Sequence, residues 1–354
     1  MAWRAPSLSG PLQEAGSASG LSTAREDGLS PLEKFSSSER QIVSSTESED
    51  IKARAAWLYY MEGLTQDQVA KVLNLTRTRV LRMLASARED GTVQIRVTAP
   101  IARCVKLERE VRARFDMERV VVVPDPQDEA RLPAMIGAAL GQMLPDLLAD
   151  GMTIGLGWGR TLSSSLPFIE PLGYGKSTTI SMLGGLTHVS LSNPSEFAWR
   201  FADRLGGDCY MLACPVFAPD GLTREALLAH RGIAEVFRRT DRMDLAILSV
   251  GDFTRDSIFV QYGLLERADL DSLERAGAVG DVLCRFIDAD GAVLDHFVND
   301  RVLAVDPRRL SQARRTVLAS GGWSKFPAIR AAIRLLNPEI LVTDERTAER
   351  LLDT

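Results

Sequence analysis

The segment from Leu64 to Asp90 limits the fold of this chain more than any other part of the sequence. Two runs of apolar residues at helical spacing follow one another there, and each begins near a threonine, Thr65 or Thr76, whose hydroxyl can cap a helix. Asn74 lies between the runs and tolerates the left-handed backbone of a tight turn. Small Ala70 allows the two helices to approach closely at a large crossing angle. The pattern predicts a helix-turn-helix.

The second of these predicted helices carries polar and basic side chains on its exposed first turns. They are Arg77, Thr78, Arg79 and Arg82. The first turns of a recognition helix face the base edges of DNA, and a guanidinium group fits guanine or binds phosphate. We therefore predict that these four residues read DNA and that Lys71 contacts phosphate. The alternative is that the arginines only solvate a surface helix.

The distribution of charge favours the DNA-binding interpretation. Residues 51–115 hold 13 Lys and Arg against 6 Asp and Glu, whereas the whole chain has a net charge of −5. A basic module can attract phosphate through its local field and through counterion release. The acidity of the remainder argues against a protein that coats DNA without sequence preference. We expect DNA binding that weakens steeply with salt.

The length of 354 residues and a hydrophobic content of 45% predict two folded domains and a tail. Residues 1–49 are rich in Ser, Gly, Ala and Glu and are predicted to be a disordered tail. The DNA-binding domain is predicted at 50–99, with a first helix over 50–62 and a strand or wing over Thr92–Thr98. Residues 100–115 are predicted to form an amphipathic linker helix, which is either solvated or a dimer contact.

Several classes of protein and site are not predicted. No apolar stretch approaches the roughly 20 residues of a membrane span, and the N-terminus lacks a signal-peptide pattern, so we expect a cytoplasmic protein without a membrane partner. The four cysteines, at 104, 209, 214 and 284, form no CxxC pair, and the chain has only three histidines. We therefore expect no disulfide framework, no metal site and no cofactor.

Residues 116–354 alternate strand-like apolar runs with helix-like segments, which predicts a larger C-terminal α/β domain built on a mostly parallel sheet. The predicted strands are Arg119–Val123, Met152–Leu156, Thr178–Leu183, Cys209–Ala213, Leu245–Val250, Val282–Ile287, Val317–Ala319 and Ile340–Val342. The predicted helices are Asp128–Ala149, Thr161–Ile169, Pro194–Leu205, Arg224–Arg239, Ser324–Leu336 and Glu345–Leu352. Ligands of such sheets lie beyond the carboxyl ends of the strands.

Glycines and charged residues that follow these strands are the candidate ligand contacts. They are the loop Gly157, Trp158, Gly159, Arg160 and Thr161, the pair Gly184 and Gly185, the acid Asp281, and the run Ser320–Gly322 with Lys325. Bare glycine amides can approach an anion, although a tight structural turn explains the first loop equally well. Asp281 can accept hydrogen bonds from sugar hydroxyls, and Arg160 and Lys325 can contact phosphate or a neutral polyol. Each residue alone is explained as a cap or a surface ion pair; their recurrence after strands favours a ligand site.

From about residue 51 to its end, the sequence resembles the SorC family of bacterial sugar-responsive transcriptional regulators. The resemblance is carried by RAAWLYYMEGLTQDQVAKVLNLTRTRVLRML, GLGWGRTL, FADRLGG, HRGIAEVFRRTDRMDLAILSVG, GAVGDVLCRFIDADG, NDRV and SGGWSKFPAIRAAI. It implies a winged helix-turn-helix, a C-terminal effector domain similar to sugar-phosphate isomerases, and a homo-oligomer, usually a tetramer, on operator DNA. The implied effector is a sugar, a sugar phosphate or a polyol. The WLYYMEGLTQ segment is most similar to regulators of polyol catabolism, including that of erythritol.

The resemblance also implies roles for single residues. The loop from Gly157 to Thr161 resembles the family's pocket for a phosphate or a sugar end, and Asp281 and Lys325 match the family's acid and lysine. Asn193 resembles the start of the helix on the effector side and is included among the candidate effector contacts. Asp252 departs from the family's GIG pattern, so the shape of the pocket does not carry over.

Two functions of different classes are consistent with these residues. The preferred hypothesis is a non-enzymatic transcription factor for a carbohydrate or polyol catabolic operon, in which the effector shifts the protein between DNA-competent and DNA-incompetent states. The alternative is a sugar-phosphate isomerase or deaminase with an accessory DNA-binding module. In that enzyme Asp281 would be the base and Lys325 its electrostatic partner. The acidic C-terminal domain disfavours a third function, that of a nucleoid protein.

Overall fold

The computed structural model describes residues 50–89, 92–93, 101–186, 193–254 and 258–353. The chain divides into two compact units, residues 1–96 and residues 97–354. The predicted disordered tail and residues 94–98 of the predicted wing lie outside the described residues. Within the described parts of the chain, no helix is long and apolar enough to cross a lipid bilayer.

The described residues of the first unit form three helices: α1 over residues 50–60, α2 (Gln66–Val72) and α3 (Arg77–Glu89). The turn chemistry predicted for this segment is confirmed. Thr65 caps α2 in a capping box, and Asn74 has a positive φ of 52° in the turn. The hydroxyl of Thr76 accepts a hydrogen bond from the Arg79 amide at 3.3 Å, as a residue at the start of a helix should. The segment therefore forms the predicted helix-turn-helix.

The three helices of the first unit pack around a small core. Its buried residues are Ala55, Ala56, Val69, Ala70, Val80, Leu84 and Ala87. Three of its alanines lie on α1 and α2, where small side chains allow the close approach predicted from Ala70. Met61 is 68% exposed, so the apolar stripe predicted on the first helix ends before it.

The part of the second unit that the structure describes contains ten strands: β1 (Arg119–Val123), β2 (Thr153–Leu156), β3 (Thr178–Gly185), β4 (Asp208–Pro215), β5 (Leu245–Leu248), β6 (Val250–Asp252), β7 (Gly280–Val282), β8 (Arg285–Ile287), β9 (Thr316–Ala319) and β10 (Ile340–Asp344). Seven of them form a parallel sheet in the order β1-β10-β9-β5-β2-β3-β4. The strands β6, β7 and β8 form a separate antiparallel sheet. All four residues of β5 are buried, which is typical of a parallel strand covered on both faces.

The helices of the second unit are α4 (Ile101–Phe115), α5 (Leu132–Met143), α6 (Arg160–Ser163), α7 (Pro194–Leu205), α8 (Gly221–Ala229), α9 (Arg231–Arg239), α10 (Ile258–Gln261), α11 (Arg267–Arg275), α12 (Phe326–Leu336) and α13 (Glu345–Leu352). Alternate residues of the parallel strands belong to two different apolar cores, because successive side chains point to opposite faces. Ala246 and Leu248 pack with α4 and α12, whereas Leu245 and Ile247 pack with α5 and α7. Helices therefore cover both faces of the sheet, which confirms the predicted α/β class.

Helix α4 has the bounds predicted for a linker helix. Its apolar face is buried in a core of the second unit and consists of Cys104, Leu107 and Val111. Arg103 pairs with Glu345 of α13 at 3.0 Å, while Val105 on the other side of the helix is 48% exposed. The helix is thus packed against the second unit along one face and exposed along the other.

Two predicted elements are wrong because local apolar spacing does not reveal a break. Val282–Ile287, predicted as one strand, is a hairpin of β7 and β8, and the backbone turns at Leu283 and Cys284 with φ values of 52° and 63°. Arg224–Arg239, predicted as one helix, is the pair α8 and α9. His230 separates them with an extended backbone at φ −62° and ψ 127°.

Three further elements are shorter than predicted. The predicted strand Leu245–Val250 divides at Ser249 into β5 and β6, which belong to different sheets. The predicted helix Asp128–Ala149 contains α5 between two short 3₁₀ turns, and Thr161–Ile169 consists of α6 and a 3₁₀ turn. Such turns commonly extend the ends of helices, and the periodicity of side chains continues through them.

Candidate functional site

A cavity of about 400 Å³ lies over the carboxyl ends of β2, β5 and β9. From β2 the chain proceeds to β3 and β4 on one side, and β5 then pairs with the opposite side of β2. A crevice is expected at such a reversal of strand order, because the connections on the two sides leave the sheet in opposite directions. Three segments that follow these strands line the cavity: Trp158–Thr161, Ser249–Asp252, and Gly321, Gly322, Ser324 and Lys325.

The loop after β2 contributes four of the predicted effector contacts, Trp158, Gly159, Arg160 and Thr161. Gly159 precedes α6 with a φ of 122°, a conformation that favours glycine. Gly157, the fifth predicted contact of this loop, does not line the cavity. It extends the pairing of β2 with β5, since its amide donates to the Ile247 carbonyl at 2.8 Å. The loop therefore leaves the central strand sharply and turns the start of α6 toward the cavity.

A second glycine loop follows β9 and is held in place by Asp344. The Gly322 amide donates to Oδ2 of Asp344 at 2.8 Å, and the Asp344 carboxylate also accepts from the amide and hydroxyl of Thr347. A Cβ on Gly321 would lie 2.2 Å from the same Oδ2 atom, so the close approach requires glycine. The buried Asp344 carboxylate at the end of β10 thus holds the glycine loop after β9 in position.

The structure brings Asp281 and Lys325 to the same cavity, Lys325 after β9 of the parallel sheet and Asp281 within β7 of the antiparallel one. The Lys325 Nζ donates to the Val250 carbonyl at 3.0 Å, and Oδ2 of Asp281 accepts from the Cys284 amide at 2.8 Å. Gly251 is the register partner of Asp281, and a Cβ there would lie 1.9 Å from the Asp281 Oδ1 atom. The acid can lie on the cavity floor only because its neighbour on β6 has no side chain.

Burial dominates the protonation of these two groups. It raises the pKa of Asp281 to about 7, and nearby Asp252 adds to this shift; the Cys284 amide and the charge of Lys325 oppose it. Burial also lowers the pKa of Lys325, while Asp252 and Asp281 oppose that shift. An acid that titrates near neutral pH can donate or accept a hydrogen bond, which suits a hydroxyl-rich ligand.

Besides Gly157, three predicted effector contacts, Gly184, Gly185 and Asn193, do not line this cavity. Gly184 and Gly185 lie at the end of β3, and a Cβ on Gly184 would approach the Pro215 carbonyl to 2.6 Å. Asn193 caps α7 with its side chain and also donates to a backbone carbonyl. These residues have close packing or capping partners in the structure, and residues 187–192, which connect β3 to α7, lie outside the described residues.

Some polar residues of the cavity were not among the predicted contacts: Glu129, Ser249, Asp252, Tyr262 and Ser324. Oε1 of Glu129 accepts from the Trp323 amide at 3.3 Å, and the Ser324 hydroxyl donates to Oδ2 of Asp252 at 3.2 Å. Tyr262 follows no predicted strand, so the rule used on the sequence could not find it, whereas Glu129 follows the predicted strand Arg119–Val123 and was not recognised. Within the described ranges, no group of three His, Cys, Asp or Glu side chains could hold a metal ion.

The predicted DNA contacts lie together on the surface of the first unit. All of them are exposed: Lys71, Arg77, Thr78, Arg79 and Arg82. The buried residues Val80, Leu84 and Ala87 occupy the other side of α3. Arg77 forms an ion pair with Asp67 at 3.7 Å, but both side chains are more than 60% exposed, so water and DNA can compete for the arginine.

Comparison with known proteins identifies relatives of both units. The Sugar-bind family model, which describes a sugar-binding domain, matches residues 99–353. The erythritol catabolism regulatory protein EryD of Brucella abortus is 33% identical over 310 residues, and the match covers 86% of this chain and 96% of EryD. The sorbitol operon regulator of Klebsiella pneumoniae is 28% identical over 316 residues, with 86% and 99% of the two chains covered.

A solved structure supports the same relationship. The crystal structure of the full-length sorbitol operon regulator SorC from Klebsiella pneumoniae matches with a TM-score of 0.66 and 25% identity, covering 86% of this chain and 99% of that chain. The family model spans more than half of the chain, and the relatives match along almost their whole length. The chain therefore belongs to the SorC family of sugar-responsive transcriptional regulators.

Proposed function

We propose that the cavity over β2, β5 and β9 is the effector site of this regulator, and that its occupancy controls DNA binding by the helix-turn-helix. The observation that carries the proposal is the convergence of Asp281, Lys325 and two glycine loops over the reversal of strand order. A concave site with a few convergent polar groups is the usual form of a small-ligand site. The cavity also lies within the part of the chain that matches a sugar-binding domain.

The proposed effector is a sugar, a sugar phosphate or a polyol. EryD is named for erythritol catabolism and the Klebsiella relative for the sorbitol operon, which makes a polyol the first candidate. The cavity offers carboxylates and hydroxyls that can bind the vicinal hydroxyls of such a compound, among them Asp252, Asp281, Tyr262 and Ser324. Proposed contacts from the loop after β2 are Trp158, Gly159, Arg160 and Thr161.

Control of DNA binding requires that the effector bind one conformation better than another. The cavity walls come from both sheets: the loops after β2 and β9 belong to the parallel sheet, whereas Asp252 and Asp281 belong to the antiparallel one. A ligand that contacts both walls would stabilise one arrangement of the two sheets. We propose that this arrangement favours or disfavours the DNA-competent form of a homo-oligomer in the cytoplasm.

On the first unit, Arg77, Thr78, Arg79 and Arg82 are the proposed contacts to base edges and Lys71 a proposed contact to phosphate. Their exposure at the start of α3, opposite the small core, supports this assignment. Contacts to base edges discriminate between sequences, whereas contacts to phosphate add affinity for all sequences.

Two substitutions separate the proposed functions of the two units. Arg77→Ala should reduce discrimination between operator and scrambled DNA and leave effector affinity unchanged. Lys325→Ala should weaken effector binding and leave the affinity of effector-free protein for operator DNA unchanged. Fluorescence anisotropy with DNA from upstream of its own gene measures the first property, and titration calorimetry with erythritol and sorbitol measures the second. Arg200→Ala, on the exposed side of α7, is the control.

Loss of both functions in a correctly folded Arg77→Ala or Lys325→Ala variant would contradict the two-unit proposal. A second candidate function, an isomerase or deaminase acting on a sugar phosphate, draws on one observation, the near-neutral pKa of Asp281 beside Lys325. We propose a non-enzymatic regulator instead. Turnover of a sugar phosphate by purified protein that disappears in Asp281→Asn would favour the enzyme.

A further inference from the structure

We propose that Asp252 makes the effector cavity selective for an unphosphorylated polyhydroxyl compound, because its carboxylate lines the cavity and repels a phosphate. This inference rests on the proposed function of the cavity and goes further by naming the ligand class and the residue that determines it. Three groups of observations carry it: the balance of charge in the lining, the partners of Lys325, and the partners of the amides before α12.

The first observation is the charge of the lining. Among the residues that the structure describes around the cavity, the carboxylates of Glu129, Asp252 and Asp281 face the two cations Arg160 and Lys325. A phosphate monoester would add a charge of about −1.5 to −2 at neutral pH. Sites that bind phosphate supply a surplus of positive charge or several unoccupied amides. The described lining has no surplus of positive charge.

The second observation is that the ammonium group of Lys325 already has a hydrogen-bond partner and lies near carboxylates of the cavity. Its Nζ donates to the Val250 carbonyl at 3.0 Å. Burial lowers the pKa of Lys325, while the negative charges of Asp252 and Asp281 oppose this shift. A phosphate that approached Lys325 would therefore also approach the negative charge of Asp252.

The third observation concerns the backbone amides at the start of α12, which a phosphate would need in place of Lys325. The Gly322 amide donates to Asp344 at 2.8 Å, and the Trp323 amide donates to Glu129 at 3.3 Å. The protein's own carboxylates therefore occupy the position that an anionic ligand would take at this helix start. A neutral polyol has no need of these amides, since Asp252 and Asp281 can accept hydrogen bonds from its hydroxyls.

The test compares each polyol with its own phosphate in wild type and Asp252→Asn. Asparagine keeps an acceptor for the Ser324 hydroxyl, which lies 3.2 Å from Oδ2 of Asp252, and removes only the charge. The probes are erythritol with erythritol 4-phosphate, sorbitol with sorbitol 6-phosphate, and inorganic phosphate, each titrated into the full chain by calorimetry. Asp252→Glu retains the charge, and Asp203→Asn on α7 is the control for a change in net charge.

We expect wild type to bind one of the polyols at least tenfold more tightly than its phosphate. Asp252→Asn should reduce that ratio about tenfold or more by gaining affinity for the phosphate, whereas Asp252→Glu and Asp203→Asn should retain it. Tighter binding of a phosphate by wild type, or an unchanged ratio in folded Asp252→Asn, would overturn this inference and leave the effector site standing. Failure of every probe to bind wild type would overturn the effector site itself together with this inference.

Discussion

Replacing Asp281 with asparagine should make the stability of the second unit less dependent on pH. Burial raises the pKa of this carboxyl from 3.8 to about 7 in the folded protein. At pH values below 3.8 the Asp281 carboxyl is protonated in both the folded and the unfolded chain. The contribution of its raised pKa to the free energy of unfolding is then fully present. Between pH 3.8 and 7 only the unfolded chain has lost the proton, so stability falls as pH rises, and above 7 the loss is complete.

The size of the effect follows from the shift. A pKa shift of about three units, at about 1.4 kcal/mol per unit, corresponds to a change of about 4 kcal/mol in the free energy of unfolding between pH 3.8 and 7. Between pH 5 and pH 8 the free energy of unfolding that is lost is about 3 kcal/mol, because about two of those units lie above pH 5. Asparagine does not titrate and can still accept from the Cys284 amide, which Asp281 does at 2.8 Å. The variant should therefore lack this part of the pH dependence.

Urea unfolding followed by tryptophan fluorescence at pH 5 and pH 8 measures the difference. Between the two pH values, the free energy of unfolding of wild type should fall by about 3 kcal/mol more than that of Asp281→Asn. Asp203→Asn, which removes an exposed carboxylate from α7, should follow wild type. Equal losses in wild type and Asp281→Asn would refute the claim that burial holds this carboxyl near neutrality, and with it the proposed role of Asp281 as a donor or acceptor to hydroxyls.

Three other substitutions test other parts of the structure. Thr65→Ala removes the hydroxyl that caps α2, and circular dichroism should show the first unit destabilised by about 1 kcal/mol while Thr65→Ser is neutral. Gly137→Ala would place a Cβ 2.6 Å from the backbone of α6, so calorimetry should show at least a tenfold loss of effector affinity; Gly221→Ala, where a Cβ has open space, should show none. Lys71→Ala should weaken binding to all DNA sequences alike and reduce the magnitude of the slope of log affinity against log salt by about one. An unchanged slope would contradict a phosphate contact by Lys71.

The helix-turn-helix could be predicted in detail because its determinants are local. The hydroxyl of Thr65, the left-handed backbone of Asn74 and the small side chain of Ala70 each act within a few residues. The same holds for Asn193, whose residue type predicts the helix start that it forms at α7. The hairpin at Leu283 was missed because its turn residues, Leu283 and Cys284, are apolar and buried, and spacing alone does not distinguish such a turn from a continuous strand.

The rule about strand ends could predict only the part of the candidate site that follows the parallel sheet. Arg160 and Lys325 come after its strands, whose carboxyl ends meet at one edge. Asp281 lies within β7 of the antiparallel sheet, and its match to the family's acid pointed to it. Tyr262 and Glu129 come from segments beside the sheet, whose position depends on packing between distant parts of the chain. Asp252 was visible as a departure from the family pattern, but its hydrogen bond with Ser324 depends on the separate antiparallel sheet, which the sequence did not predict.

The central claim is that occupancy of the cavity in the second unit controls DNA binding by the first. Fluorescence anisotropy of labelled DNA from upstream of its own gene, against scrambled DNA, at two salt concentrations and with erythritol or sorbitol added, tests it most directly. We predict a salt-sensitive preference for the upstream DNA, a change in that affinity caused by one of the polyols, and loss of the change in Lys325→Ala. Equal affinity for both DNAs, or a polyol response that Lys325→Ala retains in full, would contradict the claim.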